Sequence, residues 1–416
     1  MRDKQLHTPE GVRDIHCNEA LKKHEIQRRI MAVFHHYGFL DVQTPTFEYI
    51  DVFSHDSGTI DIKNMYKFFD SDGNILVMRP DITPSVARMM ATGYHHENTP
   101  KRFCYLGNAF RNIESYQLKL REFTQAGVEL IGIDSEDADA EIIAIVIQSL
   151  LAVGLKDFQI DIGQAGFFKG LLEEAGLDSK YEEELRMLID QKNYIAVEEL
   201  LDSLELDQAH KKVLLDLPKF FGDVKVIEQA KSTTMNKKAL AALDRLERIY
   251  NILCDYKVEQ YISFDLGMVS QINYYTGIVF RGYTFGTGVS IVDGGRYDTL
   301  LQEFGHSAPA VGFAIIVDEV MNSIERQHIE IDVPSTDTLL LYNLKSRTMA
   351  ISIADRMRRE GMRIEIGMLD RDLEENIAYG KKNHIGGIMN FLSLDEVELV
   401  NLETEERNTV DVKSLF

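Results

Sequence analysis

Cysteine is scarce in this sequence: Cys17, Cys104 and Cys254 are the only three, and none stands in a Cys-x-x-Cys spacing. That excludes a disulfide framework and a zinc site of the finger or ribbon type, and leaves three free thiols. The 12 histidines include the adjacent pairs His35-His36 and His95-His96. Adjacent residues on a helix point in different directions and make a poor chelate, so no metal and no other cofactor is expected. No apolar run approaches the ~18 residues a membrane span needs. The start, Met1-Arg2-Asp3-Lys4-Gln5-Leu6-His7-Thr8-Pro9, lacks the apolar core and small-residue cleavage site of a secretory signal. A cytoplasmic protein without membrane contact is the expectation. Internal repeats and low-complexity tracts are lacking too. Positive charge is outnumbered, with 45 Lys and Arg against 67 Asp and Glu and a formal net charge of −22. RNA phosphates must be neutralised by cations, so this balance disfavours tight RNA binding unless a local basic patch overrides it.

What is present suits a globular protein of more than one core. The chain has 416 residues, 44% hydrophobic and 27% charged, which predicts two domains and an inserted element. Apolar spacing predicts a helix over 18–36 stopped by Gly38, a strand over 39–45, and a hairpin over 61–79 turning at Asp70-Ser71-Asp72-Gly73. Two long antiparallel strands are expected within 103–131, then a helix over 136–153 capped by Asp134 or Ser135, and a strand over 158–163. From about 167 to 256 the composition turns to Leu, Glu, Lys and Ala with helical period, so an all-helical insertion is expected. Strands return at 262–266, 276–284 and 288–293, Gly294-Gly295 is read as a break, and 308–321 reads as a buried helix. After a linker near Pro334, strand and helix alternate over 336–416, which indicates a small α/β domain.

The motifs are individually weak and collectively specific. Gly38-Phe39-x-x-Val42-x-Thr44-Pro45, Phe110-Arg111 and Gly312-Phe313-Ala314-Ile315 fall in the order of the three motifs of class II aminoacyl-tRNA synthetases. With Arg79-Pro80-Asp81-Ile82-Thr83, Gln125-Ala126-Gly127-Val128-Glu129, Tyr274-Tyr275-Thr276-Gly277 and Gly294-Gly295-Arg296-Tyr297-Asp298, they resemble histidyl-tRNA synthetase over nearly the whole chain. The resemblance implies an α+β fold with a six-stranded antiparallel sheet and helices in domain 1–330, the helical insertion inside it, and an anticodon-binding-like α/β domain over 336–416.

A pocket for free histidine needs a carboxylate and a hydroxyl for the α-ammonium, a polar group for the backbone end, and a carboxylate or phenol for the imidazole. The resemblance places Asp81, Thr83, Arg111, Gln125, Glu129, Tyr274 and Tyr275 at such positions, with Asp81 one methylene shorter than the synthetase's Glu. The plainer alternative is that Asp81 and Thr83 cap a helix beginning at Pro84 and that the two tyrosines are core aromatics. Adenylation is another matter, because it needs fixed cations on the ATP phosphates. The acid two places after Arg111 is replaced by Ile113, the arginine of the tyrosine motif by Ser270, and the arginine of the third motif by Glu319. No catalytic residue is therefore expected.

A histidine pocket without adenylation chemistry resembles the regulatory subunits of ATP phosphoribosyltransferase. That family implies a short-form catalytic subunit as partner, histidine as feedback effector, and a homodimer within a hetero-oligomer, a hetero-octamer, with no tRNA. A working synthetase and a histidine sensor with another partner are the alternatives, and the effector site is open between the pocket and a subunit interface. The segment 336–416 carries 11 Lys and Arg against 15 Asp and Glu, unlike an RNA-gripping domain.

Overall fold

The computed structural model describes residues 6–53, 61–94, 96–97, 99–112, 120–204, 206–268, 275–367 and 372–415. The chain forms two units, Met1–Ile331 and Asp332–Phe416. In the first, the strands are β1 (Leu40–Asp41), β2 (Phe47–Tyr49), β3 (Lys67–Phe69), β4 (Ile75–Met78), β5 (Lys101–Phe110), β6 (Glu122–Ile131), β7 (Phe158–Gln164), β8 (Phe221–Gly222), β9 (Ile262–Asp265), β10 (Ile278–Thr284), β11 (Val292–Arg296) and β12 (Ala310–Ile316). Nine of them make one sheet in the order β1-β5-β6-β12-β11-β10-β7-β9-β8, and β2-β4-β3 make a small second sheet. The six strands from β5 to β7 in that order are antiparallel throughout, as the synthetase resemblance implies. β1 and β9 extend them in parallel at either side.

Helix α1 (Cys17–His36) buries Ile26, Ile30 and Phe34 on one stripe, and the chain turns at Gly38, whose φ is 78°. Helix α2 (Thr83–Gly93) carries Pro84 in its first turn, where a missing N–H costs nothing. Helix α3 (Glu136–Ala152) starts where the Ser135 hydroxyl accepts from Ala138 N–H at 3.1 Å. It is buried almost all round, through Ile142, Ile143, Ile145, Val146, Ile147 and Leu150. Each such side chain contributes about 1.5–3 kcal/mol by leaving water, so α3 is the spine of this unit.

The insertion runs as α4 (Ala165–Glu174), α5 (Ser179–Asp190), α6 (Tyr194–Ser203), α7 (Gln208–Asp216), α8 (Lys225–Lys231) and α9 (Lys237–Asp255). Asp178, Asn193, Asp207 and Asn236 each accept from first-turn N–H groups of the helix that follows. It is not all-helical, because β8 interrupts it and pairs with β9 at the sheet edge. Two residues are too few to show a strand period.

Two expectations fail in the sheet. The helix expected over 308–321 is β12 followed by α11 (Val317–Arg326), which comes after the short α10 (Leu300–Glu303). β12 lies between β6 and β11 and is buried on both faces, and such an apolar run cannot be told from a buried helix by period. Gly294-Gly295 lies inside β11 rather than breaking it. A Cβ at Gly294 would stand 2.4 Å from the Phe280 ring, so the glycine permits close packing across neighbouring strands.

The second unit has a sheet β14-β13-β15-β16-β17, with β13 (Thr338–Tyr342), β14 (Ile364–Ile366), β15 (Gly387–Phe391), β16 (Glu396–Asn401) and β17 (Arg407–Asp411). Helix α12 (Arg347–Arg359) covers one cluster of core residues with Ile353 and Ala354, and α13 (Leu373–Lys382) covers another with Leu373 and Ile377. Among the described residues no helix is long and apolar enough to cross a membrane.

Candidate functional site

The sheet brings the predicted residues to one place. Asp81 and Thr83 stand at the start of α2, Gln125 and Glu129 four residues apart on β6, and Tyr275 just before β10. All five are buried. Neither Asp81 nor Thr83 caps α2, whose N-cap position is Ile82 without a side-chain bond. Instead the Thr83 hydroxyl donates to Glu129 Oε1 at 2.6 Å, and Gln125 Nε2 donates to Asp81 Oδ1 at 3.2 Å. Asp81 Oδ1 also accepts from Ile82 N–H at 2.8 Å. Having spent its proton on Glu129, Thr83 keeps lone pairs for a further donor.

Gln125 is the revealing residue. Its NH2 must face the Asp81 carboxylate, which leaves Oε1 buried and without a hydrogen-bond donor among the described residues. An orphaned buried acceptor costs about 1–3 kcal/mol. A ligand ammonium placed between Gln125 Oε1, Asp81 and Thr83 would satisfy it.

Glu129 is fully buried. Tyr105 donates to its Oε1 at 3.2 Å and Tyr297 to its Oε2. Burial pushes the carboxyl up to about 8, with Asp81 adding to the rise and the three hydroxyl donors opposing it. Tyr275 has its phenol pushed well above the ordinary range, first by burial and then by Asp293, Asp81 and Glu129. Tyr105 and Tyr297 are the site residues that sequence reasoning missed. Tyr297 lay inside a quoted motif, whereas nothing in the sequence marked Tyr105. Gly312 pairs in register with Glu129, and a Cβ there would meet Glu129 Oε2 at 1.9 Å. Only glycine leaves that carboxylate its place.

Arg111 stands slightly apart. Its Nε donates to the Pro80 carbonyl at 3.1 Å and its guanidinium lies 4.9 Å from the Phe123 ring centre. It borders a cleft of about 140 Å³ shared with Ser290, Asp293, Asp318 and Glu319. Asp318 is committed to Lys23 at 2.7 Å and to Thr124 N–H at 2.6 Å, and Asp293 lies 3.4 Å from Arg281. The half-buried Glu319 carboxylate accepts a long bond from Asn322 Nδ2 at 3.4 Å. Ile113, Ser270 and Tyr274 lie outside the described residues.

Comparison with known proteins gives a consistent picture. The model of the histidyl-tRNA synthetase family matches residues 11–320. The chain is 43% identical to the ATP phosphoribosyltransferase regulatory subunit of Acetivibrio thermocellus over 416 residues, all of both chains. It is 41% identical to that of Ruminiclostridium cellulolyticum, over 97% of each. Among solved structures, an ATP phosphoribosyltransferase regulatory subunit/histidyl-tRNA synthetase from Bacillus halodurans C superposes with a TM-score of 0.82 at 31% identity, covering 90% of this chain and 96% of that one. The histidyl-tRNA synthetase of Nostoc sp. PCC 7120 shares the fold, with a TM-score of 0.83 at 20% identity and coverage of 99% and 98%.

Proposed function

This chain belongs to the family of ATP phosphoribosyltransferase regulatory subunits, built on the histidyl-tRNA synthetase fold, and we propose that it activates a short-form catalytic subunit and makes it sensitive to histidine. The effector sits among Asp81, Thr83, Gln125, Glu129 and Tyr275, with its α-ammonium on Asp81 and Gln125 and its imidazole toward Glu129. The orphaned Gln125 acceptor beside a carboxylate carries this reading, because it asks for a buried cationic donor. The chain itself does no adenylation. Arg111 shares its cleft with Asp293, Asp318 and Glu319, and a carboxylate would repel the phosphate charge that a fixed cation would have to stabilise. Regulation follows from reciprocity: if the inhibited assembly binds histidine more tightly than the active one, histidine shifts the population toward it. The working form is a cytoplasmic homodimer of this chain within a hetero-octamer, without tRNA.

Purified chain mixed with a short-form catalytic subunit is expected to raise phosphoribosyl-ATP formation and to let histidine suppress it. Asp81→Asn should keep the activation and lose the suppression. No gain on mixing overturns the assignment; equal inhibition of Asp81→Asn moves the effector site elsewhere, to a subunit interface first. The match to a synthetase family favours one other reading, a working synthetase. Histidine-dependent ATP–pyrophosphate exchange by the same preparation would establish it, and none above background is expected.

A further inference from the structure

Outside the pocket, His35, Asp41 and Cys104 form a cluster of metal-type donors drawn from three elements. β1 pairs in parallel with β5, placing Asp41 in register with Cys104, and Val42 N–H donates to the Cys104 carbonyl at 2.8 Å. The sheet thus fixes two of the three positions. His35 belongs to the last turn of α1, and the chain doubles back at once, with Phe39 N–H donating to the Phe34 carbonyl at 3.1 Å. This return sets His35 Nε2 2.8 Å from Asp41 Oδ2. Cys104 Sγ lies 3.9 Å from Asp41 Oδ1, and one ligand atom from each residue lies within 4.8 Å of the other two.

We propose that His35, Asp41 and Cys104 bind a late divalent transition-metal ion of the Zn²⁺ type. Bonds of ~2.0–2.3 Å in a tetrahedron separate the ligand atoms by roughly 3.3–3.6 Å. The separations of 2.8 Å from His35 Nε2 to Asp41 Oδ2 and 3.9 Å from Cys104 Sγ to Asp41 Oδ1 lie on either side of that range. With all three ligand atoms within 4.8 Å of one another, rotation of the exposed His35 and Asp41 side chains brings them onto one ion. The donor set decides the class of metal. Thiolate and imidazole suit zinc and its neighbours, while magnesium and calcium take oxygen ligands. His35 and Asp41 have side-chain exposures of 47% and 67%, so an ion can enter without unfolding and keep water in its fourth position, as three-ligand zinc sites do. The plainer alternative, an exposed ion pair beside a buried thiol, contributes little. The sequence-based expectation of no metal weighed His35 with His36; the fold gives His35 different partners, and a bound ion would tie the end of α1 to the edge of the sheet.

Metal-free full-length chain titrated with Co²⁺ is the test. One equivalent should produce a thiolate-to-cobalt charge-transfer band with tetrahedral d–d absorption, Zn²⁺ should displace it, and Zn²⁺ should raise the thermal midpoint with the logarithm of its free concentration. Cys104→Ser should lack the charge-transfer band. His35→Ala should weaken Co²⁺ binding by more than the ~10–100-fold that loss of a supporting partner costs. A spectrum of nitrogen and oxygen ligands only, a band that survives Cys104→Ser, or unchanged affinity in His35→Ala would each overturn the assignment. Because Cys104 is buried, the exposed His35 variant decides the matter if Cys104→Ser does not fold.

Discussion

At the residue scale, the behaviour of Glu129 is a contest between burial and hydrogen bonding. Thr83, Tyr105 and Tyr297 all donate to it, which favours the ionised form, yet full burial wins and holds the carboxyl at about 8. The native chain therefore keeps a proton that the unfolded chain releases near 4.5. This contribution to stability is complete below about 4.5, falls as pH rises between the two values, and is lost above about 8. Glu129→Gln, which cannot ionise, should flatten that part of the pH profile. Urea midpoints of both proteins across the window check it; equal slopes would place the titration in another group. Of the site residues, the sequence made Asp81, Thr83, Gln125 and Glu129 legible because their spacing sits in motifs. It could not reveal that Thr83 is already bonded to Glu129, or that Tyr105 reaches the same carboxylate, because such contacts join different strands and helices.

At the element scale, one buried ion network binds the insertion to the sheet. Arg296 on β11 donates to Asp139 of α3 at 2.8 Å, and Arg245 of α9 donates to the other Asp139 oxygen at 2.7 and 2.9 Å. Arg296 and Asp139 have side-chain exposures of 2% and 0%. Asp139→Ala would leave the buried Arg296 guanidinium with Asp298 at 3.1 Å and the Ile133 carbonyl at 3.2 Å, a loss that approaches the about 3–5 kcal/mol of a broken buried pair. Arg356→Ala, which breaks an exposed pair with Glu360, should change little. Circular dichroism during urea unfolding compares the two, and similar shifts would mean that Asp298 compensates the Arg296 charge. Element identity was readable where one face is wet, as in α1 and in the hairpin of β3 and β4. It failed at β12, where burial on both faces removes the alternation that marks a strand.

At the scale of the whole molecule, charge bears on whether this fold handles RNA. A net charge of −22 and an excess of acids in 336–416 oppose the approach of RNA phosphates. Fluorescence anisotropy with tRNA is expected to show no more than non-specific affinity, with Kd weaker than ~10⁻⁶ M at physiological salt. Saturable nanomolar binding would restore the synthetase reading. The second unit has its own core clusters on both faces of its sheet, so it folds around its own apolar residues without needing RNA.

The sequence by itself determined the family, the motif residues of the proposed pocket and the charge that opposes RNA, since these depend on residue types and their spacing along the chain. Only the tertiary structure decided which polar groups meet. Glu129 gathers three hydroxyls, Gln125 keeps one acceptor unanswered among the described residues, and His35 finds Asp41 and Cys104 rather than its neighbour His36. Hydrogen bonding and metal coordination depend on distances of a few ångströms between side chains, and strand pairing sets those distances across large separations in sequence.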